Sequence, residues 1–155
     1  MQPRTIGAGS AHQYAFGLLE LLVALAIVAI LTSIALPGYR RFVLRSHRIE
    51  ALHALLEVQG SQERFFVQHN RYADSLTAAV PDGLGLASRT PGAFYEIQLD
   101  AQPDDGAGHY LARASVTAES GQAEDLPCQS FTLDELGNRR AADASGADQT
   151  AVCWR

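Results

Sequence analysis

The sequence contains few side chains whose type and spacing could support catalysis. Its candidate acid–base groups are histidines scattered along the chain at His47, His53, His69 and His109. His47 and His53 are six residues apart on a predicted helix, so they do not share a face. No nucleophile elbow, phosphate-binding loop or metal-ligand spacing accompanies them. We therefore expect a protein that is not an enzyme and binds no cofactor.

Metal chemistry is not favoured either. Asp104-Asp105 and Asp134-Glu135 could bind a cation, since carboxylate oxygens are the ligands that calcium prefers. Such carboxylates in loops are far more often only solvated. With two cysteines in the chain, both near the C-terminus, a CxxC zinc or redox motif is excluded.

The two cysteines, Cys128 and Cys153, are better explained as a disulfide. Bridging them closes a segment of about 25 residues, which the chain-entropy model values at roughly 3–4 kcal/mol. That segment includes residues 141–149, rich in Ala, Gly, Ser and Asp, which cannot hold itself down by apolar burial. The alternative is a pair of free buried thiols.

Charge is distributed unevenly along the 155 residues, a length that suits one domain. All twelve basic residues are Arg, and the net charge is −5. An arginine collar, consisting of Arg40, Arg41, Arg45 and Arg48, contains no acid. From Glu50 to the end, seven Arg face sixteen Asp and Glu, a net charge of −9. This acidity makes the chain a poor general binder of nucleic acid, whose affinity depends mainly on phosphate attraction.

Residues 16–36 form an apolar segment of 21 residues with one charge, Glu20. As a helix, the segment spans about 31 Å, the thickness of the hydrocarbon core of a bilayer. Membrane residence and helicity are one prediction, because only a helix satisfies its own backbone in lipid. Two alternatives are a buried core helix and a secretory signal peptide cut near Ser33-Ile34-Ala35.

The residues around Glu20 resemble the N-terminus of the type IV pilins. The resemblance lies in Ala15-Phe16-Gly17-Leu18-Leu19-Glu20-Leu21 and in the apolar run that leads to Pro37. In that family a leader is removed before a Phe, with a Glu at the fifth mature position and a Pro at the twenty-second. Counted from Phe16, Glu20 is fifth and Pro37 is twenty-second. Two departures are Ala15, where Gly is usual, and Gly17, where Thr is usual.

The resemblance implies a specific processing and assembly route. Prepilin peptidase would remove the leader, residues 1–15, between Ala15 and Phe16, and the new amino group of Phe16 would be N-methylated. Residues 16–36 would serve as the transmembrane and assembly helix. Glu20 would pair with the amino group of Phe16 on a neighbouring subunit. The expected partners are other pilin subunits, the peptidase, the pilus assembly machinery and the inner membrane.

Two lines of reasoning predict opposite orientations of the chain in the membrane. The positive-inside rule would place the arginine collar in the cytoplasm. The resemblance implies the reverse, with the leader inside and the globular domain in the periplasm, and a disulfide also requires an oxidising compartment. We therefore expect a single-pass inner-membrane protein that later joins a surface fibre, with the arginine collar at the outer-leaflet headgroups.

The remaining elements predict an α+β fold. Pro37-Gly38 should kink the helix, which then resumes over about residues 37–68, with Ile49, Leu52, Leu55, Leu56 and Gln59 at helical spacing. Residues 69–92 form a loop, with a short helix near 75–80 as an option. Residues 93–155 alternate with period two and predict an antiparallel sheet of three or four strands with a C-terminal disulfide loop. The periplasmic domain would thus cover residues 37–155.

The function that follows from the resemblance is that of a structural subunit, a minor pilin, supporting pilus assembly and pilus-dependent motility or adhesion. The nearest alternative is a pseudopilin of a type II secretion system. A second is a DNA-uptake receptor, for which Arg64, Arg71, Arg139 and Arg140 could form a local patch despite the acidic domain. A third is a membrane-anchored periplasmic enzyme, although no catalytic site is visible.

Overall fold

The computed structural model describes residues 17–102 and 108–155. Ala15 and Phe16, at the predicted leader junction, and the acidic pair Asp104-Asp105 lie outside the described residues. The chain divides into two units, residues 1–39 and residues 40–155. The elements follow in the order α1 (Leu18–His69), β1 (Tyr95–Gln102), β2 (His109–Val116), a 3-10 turn (Gly121–Glu124), β3 (Ser130–Asp134), β4 (Arg139–Ala142) and α2 (Thr150–Cys153).

Helix α1 begins in the first unit and runs without a break past Pro37. A proline inside a helix removes one backbone donor, but the backbone remains helical on both sides. The kink that Pro37-Gly38 predicts stays a prediction.

In the second unit, one stripe of α1 is buried against the sheet. Ala51, Leu55, Val58 and Phe65 recur at intervals of three, four and seven residues and are at most 4% exposed. Of the residues predicted at helical spacing, Ile49 and Leu56 lie outside this buried stripe, since they are 61% and 42% exposed.

The sheet is four-stranded and antiparallel, with neighbours in chain order from β1 to β4. Its register places Ile97, Ala114, Phe131 and Ala141 opposite one another in one row across the four strands. All four are buried and belong to the core. The next row, Gln98, Arg113, Thr132 and Arg140, lies on the opposite face, because successive side chains alternate between faces. The predicted alternation is confirmed.

The segment between α1 and β1 consists of turns, so the optional short helix near residues 75–80 was wrong. Its backbone instead bonds to itself across the loop, with Leu84 N donating to Ser75 O and Leu86 N donating to Leu76 O. Gln62 ties this segment to the helix. Its Nε2 donates to Ala73 O, and its Oε1 accepts from Ala73 N, both at 2.9 Å.

The C-terminal segment is closed by the disulfide between Cys128 and Cys153, which confirms that prediction. Both cysteines are at most 1% exposed. Within the closed segment, Asp143 accepts hydrogen bonds from Ser145 and from the backbone N–H of Ala147. The part of the closed segment after β4, residues 143–149, is therefore held by the covalent bond and by local polar contacts, since it buries little apolar surface of its own.

Candidate functional site

Among the described residues, the apolar part of α1 is exposed along its whole length. From Leu18 to Leu36 its large aliphatic side chains are 52–78% exposed, on every face of the helix. By length and composition the helix could cross a membrane, with a mean hydropathy of 2.6 over 18 residues and none of that stretch buried. Exposed apolar surface on this scale needs lipid or other apolar helices around it.

The polar side chains of this segment are of two kinds. The hydroxyls of Thr32 and Ser33 donate to the backbone oxygens of Val28 and Ile30, at 2.6 and 2.7 Å. They therefore carry their own partners and can enter hydrocarbon at little cost. Glu20 is different, because it is exposed and forms no ion pair with any described residue. A carboxylate in hydrocarbon costs a few kcal/mol unless it is paired.

The arginine collar is not one uniform surface. Arg45 is exposed, and Arg40 reaches Glu124 across 3.9 Å in an exposed contact. Arg48, by contrast, makes a bidentate contact with Asp125, and the two side chains are only 12% and 3% exposed. The expectation that the whole collar lies at lipid headgroups was therefore wrong for Arg48. A buried carboxylate provides the planar, two-oxygen partner that a guanidinium prefers.

A buried polar cluster surrounds this pair, and sequence reasoning missed it. Gln122 is fully buried, and its Nε2 lies within hydrogen-bond distance of Tyr95 Oη, Leu44 O and Asp125 Oδ2. Its Oε1 can only accept, so the His47 Nδ1 at 3.0 Å is the donor. Burial is the main cause that raises the pKa of the Tyr95 hydroxyl, which keeps it neutral and able to donate or accept. The cluster joins α1, β1 and the 3-10 turn.

The solvent face of the sheet carries two arginines in register. Arg113 and Arg140 flank Thr132 in one row, and with Ser130 and Asp148 they line a shallow groove. Asp148 moderates this positive surface, and hydrogen bonds from Thr150, helped by nearby Arg140, lower the pKa of its carboxyl. The groove combines guanidinium and hydroxyl donors with one carboxylate.

The arginines named from sequence as a DNA patch lie on different elements. Arg64 lies near the end of α1 and donates to Ser61 Oγ, and Arg71, just past that end, lies over the Phe65 ring. Arg139 lies on β4 over the ring of Trp154, beside Arg140. The sequence offered no signal for Arg113, which only the strand register places beside Arg140.

Asp134 and Glu135, at the end of β3, make their polar contacts with nearby residues of the same domain. The Asp134 carboxylate accepts from the backbone N–H groups of Leu136 and Asn138 and from Asn138 Nδ2, and these bonds lower its pKa despite partial desolvation. Glu135 lies 2.8 Å from His109. Within residues 17–102 and 108–155 no group of three or more His, Cys, Asp or Glu side chains is placed to hold a metal ion. Asp104-Asp105 lies outside the described residues.

The structure combines an exposed apolar helix with a small α+β domain that carries a C-terminal disulfide. This combination is typical of protein subunits that enter membranes or assemblies through their N-terminus. Comparison with known proteins specifies the class. Residues 37–132 match the family described as type IV minor pilin ComP, DNA uptake sequence receptor, and residues 10–36 match the prokaryotic N-terminal methylation motif. The chain belongs to the type IV pilin family.

Individual relatives agree with this assignment. The chain is 39% identical over 143 residues to the type IV major pilin protein PilA of Myxococcus xanthus, covering 90% of this chain and 57% of that protein. It is 30% identical over 142 residues to the type IV major pilin protein PilE1 of Neisseria gonorrhoeae, covering 92% and 68%. A solved type IV pilin from Shewanella oneidensis is 19% identical with a TM-score of 0.44, covering 62% of this chain and 89% of that one. The assignment rests on the sequence matches.

Proposed function

We propose that the protein is a structural subunit, a minor pilin, of a type IV pilus. The observation that carries the proposal is the fully uncovered apolar stretch of α1 with a single carboxylate, Glu20, near its start. Such a helix can exchange lipid for a bundle of similar helices at nearly constant free energy, because neighbouring helices are about as apolar as lipid tails. Assembly then needs only a modest bias.

Glu20 would supply part of that bias. After prepilin peptidase cleaves between Ala15 and Phe16, the N-methylated amino group of Phe16 on one subunit would pair with Glu20 of its neighbour. Before assembly, the subunit would reside in the inner membrane with its disulfide-bonded domain in the periplasm. The pairing relieves the cost of an ionised carboxylate in an apolar core.

The test compares Glu20→Val with Thr32→Val. Both replace a polar side chain with an apolar one in the same segment, but Thr32 already bonds to its own backbone. We expect Glu20→Val to reduce recovery of the chain in sheared surface fibres at least tenfold, and Thr32→Val to leave recovery within twofold of wild type. Mass spectrometry of the wild-type chain should show an N-methylated N-terminus at Phe16. Normal incorporation of Glu20→Val would exclude the pairing role.

A second candidate function, reception of DNA during uptake, is favoured by the match of residues 37–132 to a family described by that role. The row of Arg113, Thr132 and Arg140 could contact phosphates. The net charge of −9 after residue 49 opposes it, as does the sequence-based expectation that nucleic acid is not a partner. The pseudopilin alternative differs in the apparatus that the subunit serves, and detection of the chain in sheared surface fibres would favour the pilus.

DNA binding can be measured by titrating the full chain in detergent micelles with duplex DNA at several salt concentrations. If the candidate is correct, Arg113→Gln with Arg140→Gln should weaken binding and reduce the salt slope by about two, at about 0.9 per phosphate contact. Arg89→Gln, an exposed arginine on the loop before β1, is the control. Absence of salt-dependent binding by the wild-type chain would leave the structural role alone.

A further inference from the structure

A groove runs along the second unit between α1 and the segment at residues 85–91. Its volume is about 780 Å³. Its apolar lining includes Ile49, Val58, Leu86, Pro91 and Ile97. Such a lining on a folded domain is typical of a surface that receives an apolar side chain.

The charges at the groove rim define what can enter. Glu50 and Glu57 line it from α1, and Arg89 lines it from the segment at residues 85–91. The Glu50 carboxylate already accepts from Gly92 N at 2.9 Å. Glu57 is exposed and makes no ion pair within 4 Å in the described part of the chain. The rim therefore offers one available carboxylate on the helix side, and Arg89 disfavours a cation on the other.

The same helix carries a matching projection about three turns earlier. Phe42, Ile49 and Leu56 lie seven residues apart, so they form one exposed stripe along α1, and Phe42 is 69% exposed. Arg45 lies three residues after Phe42 and therefore on the same side of the helix. Arg45 is exposed and forms no ion pair within 4 Å among the described residues. Phe42 and Arg45 together are an aromatic ring beside a cation.

We infer that Phe42 and Arg45 of one copy dock into the groove of a second copy of this chain. Phe42 packs on Ile49 and Leu86, and Arg45 pairs with Glu57. The inference deepens the proposed function, on which it rests. The occupant is a second copy because the chain itself presents both matching groups. The exposed Phe42 ring fits the apolar lining of the groove, and the Arg45 cation fits the Glu57 carboxylate at its rim.

The geometry of this contact favours a filament. The projection and the groove lie on one helix about ten residues apart, or about 15 Å at helical rise. When two parallel copies are offset by this distance, the projection of one copy fills the groove of the other. The second projection and the second groove remain free at the two ends of the pair. Such a heterologous contact does not close on itself, so it leaves an end to which a further subunit can be added.

The test is a charge reversal with rescue. Arg45→Glu and Glu57→Arg are made singly and together in the full chain, and recovery in sheared fibres is compared with the membrane-bound pool. We expect each single variant to reduce recovery about tenfold and the double variant to return it to within threefold of wild type. Glu119→Arg changes an exposed residue that makes no ion pair within 4 Å among the described residues, and its charge change equals that of Glu57→Arg, so it should have no effect.

A second measurement keeps the wild-type charges. A photo-crosslinking amino acid at position 42 should yield a dimer of this chain whose cross-linked peptide contains residues 85–91. The cross-link is sought both in membranes and in fibres. Cross-links only to a different pilin, or to another surface of this chain, would overturn the inference, as would failure of the double variant to recover. A wild-type chain that forms the cross-link in membranes and never enters fibres would contradict the proposed function and leave this contact standing.

Discussion

Arg48 and Asp125 are 77 residues apart in the chain and meet through two hydrogen bonds, Nε to Oδ2 at 2.6 Å and Nη2 to Oδ1 at 2.7 Å. The pair attaches the 3-10 turn to α1 in the second unit, next to the buried amide of Gln122. Of the four collar arginines, Arg48 thus serves the fold of the domain, and its charge is neutralised within it.

Asp125→Ala should destabilise the second unit by roughly 3–5 kcal/mol, because it leaves a largely buried guanidinium without its partner. The expected readout is chemical unfolding of the full chain in detergent micelles, followed by the fluorescence of Trp154, the one tryptophan of the sequence. Arg40→Ala, which removes an exposed contact at 3.9 Å, is the matched control and should cost less than about 1 kcal/mol. Equal effects of the two variants would contradict the assignment.

Gln62→Ala should destabilise the domain by roughly 2–4 kcal/mol. The change removes the donor and the acceptor that satisfy both backbone groups of Ala73, and each buried group left unpaired costs about 1–3 kcal/mol. Hydrogen exchange at the Ala73 amide should accelerate more than exchange in β2, because the loop opens before the sheet does. Gln68→Ala, at an exposed position of the same helix, should change neither quantity.

The sequence could predict the parts of the fold that depend on local residue patterns. The apolar run of residues 16–36, the alternation of β1 and β2 and the two late cysteines each indicate their structure directly. Gln122 could not be predicted, since it lies in a polar stretch typical of a solvated loop and is buried only because α1 and β1 supply partners for its amide. Arg48 likewise could not be distinguished from the other collar arginines by sequence, because its partner Asp125 is brought to it only by the packing of the domain.

Reduction of the disulfide should lower the stability of the domain by about 2–5 kcal/mol, given the 25-residue separation of Cys128 and Cys153. Residues 143–149 of the closed segment bury little apolar surface, so the loss should appear first as faster proteolysis there. The double variant Cys128→Ser with Cys153→Ser should behave as the reduced wild-type chain does. Unchanged proteolysis after reduction would show that local hydrogen bonds alone hold the segment.

Acid should loosen the same segment through Asp143 and Asp148. A hydrogen bond from the Ser145 hydroxyl is the main cause that lowers the pKa of Asp143, and the Thr150 hydroxyl does the same for Asp148. Because the folded pKa lies below the unfolded one, about 3.9, the contribution to stability is complete above that value. It is lost as the pH falls through the lowered folded pKa, so the transition should lie below about pH 4.

Amide chemical shifts of the full chain can resolve the two carboxylates. The backbone N–H groups of Ser145 and Ala147 report Asp143, and that of Thr150 reports Asp148, since each donates to the respective carboxylate. Asp143→Asn should abolish the acid transition at Ser145 and Ala147 and preserve it at Thr150, because an amide oxygen still accepts these bonds but does not titrate. If the variant removed all three transitions together, the segment would unfold as one cooperative unit, and the two carboxylates would not act independently.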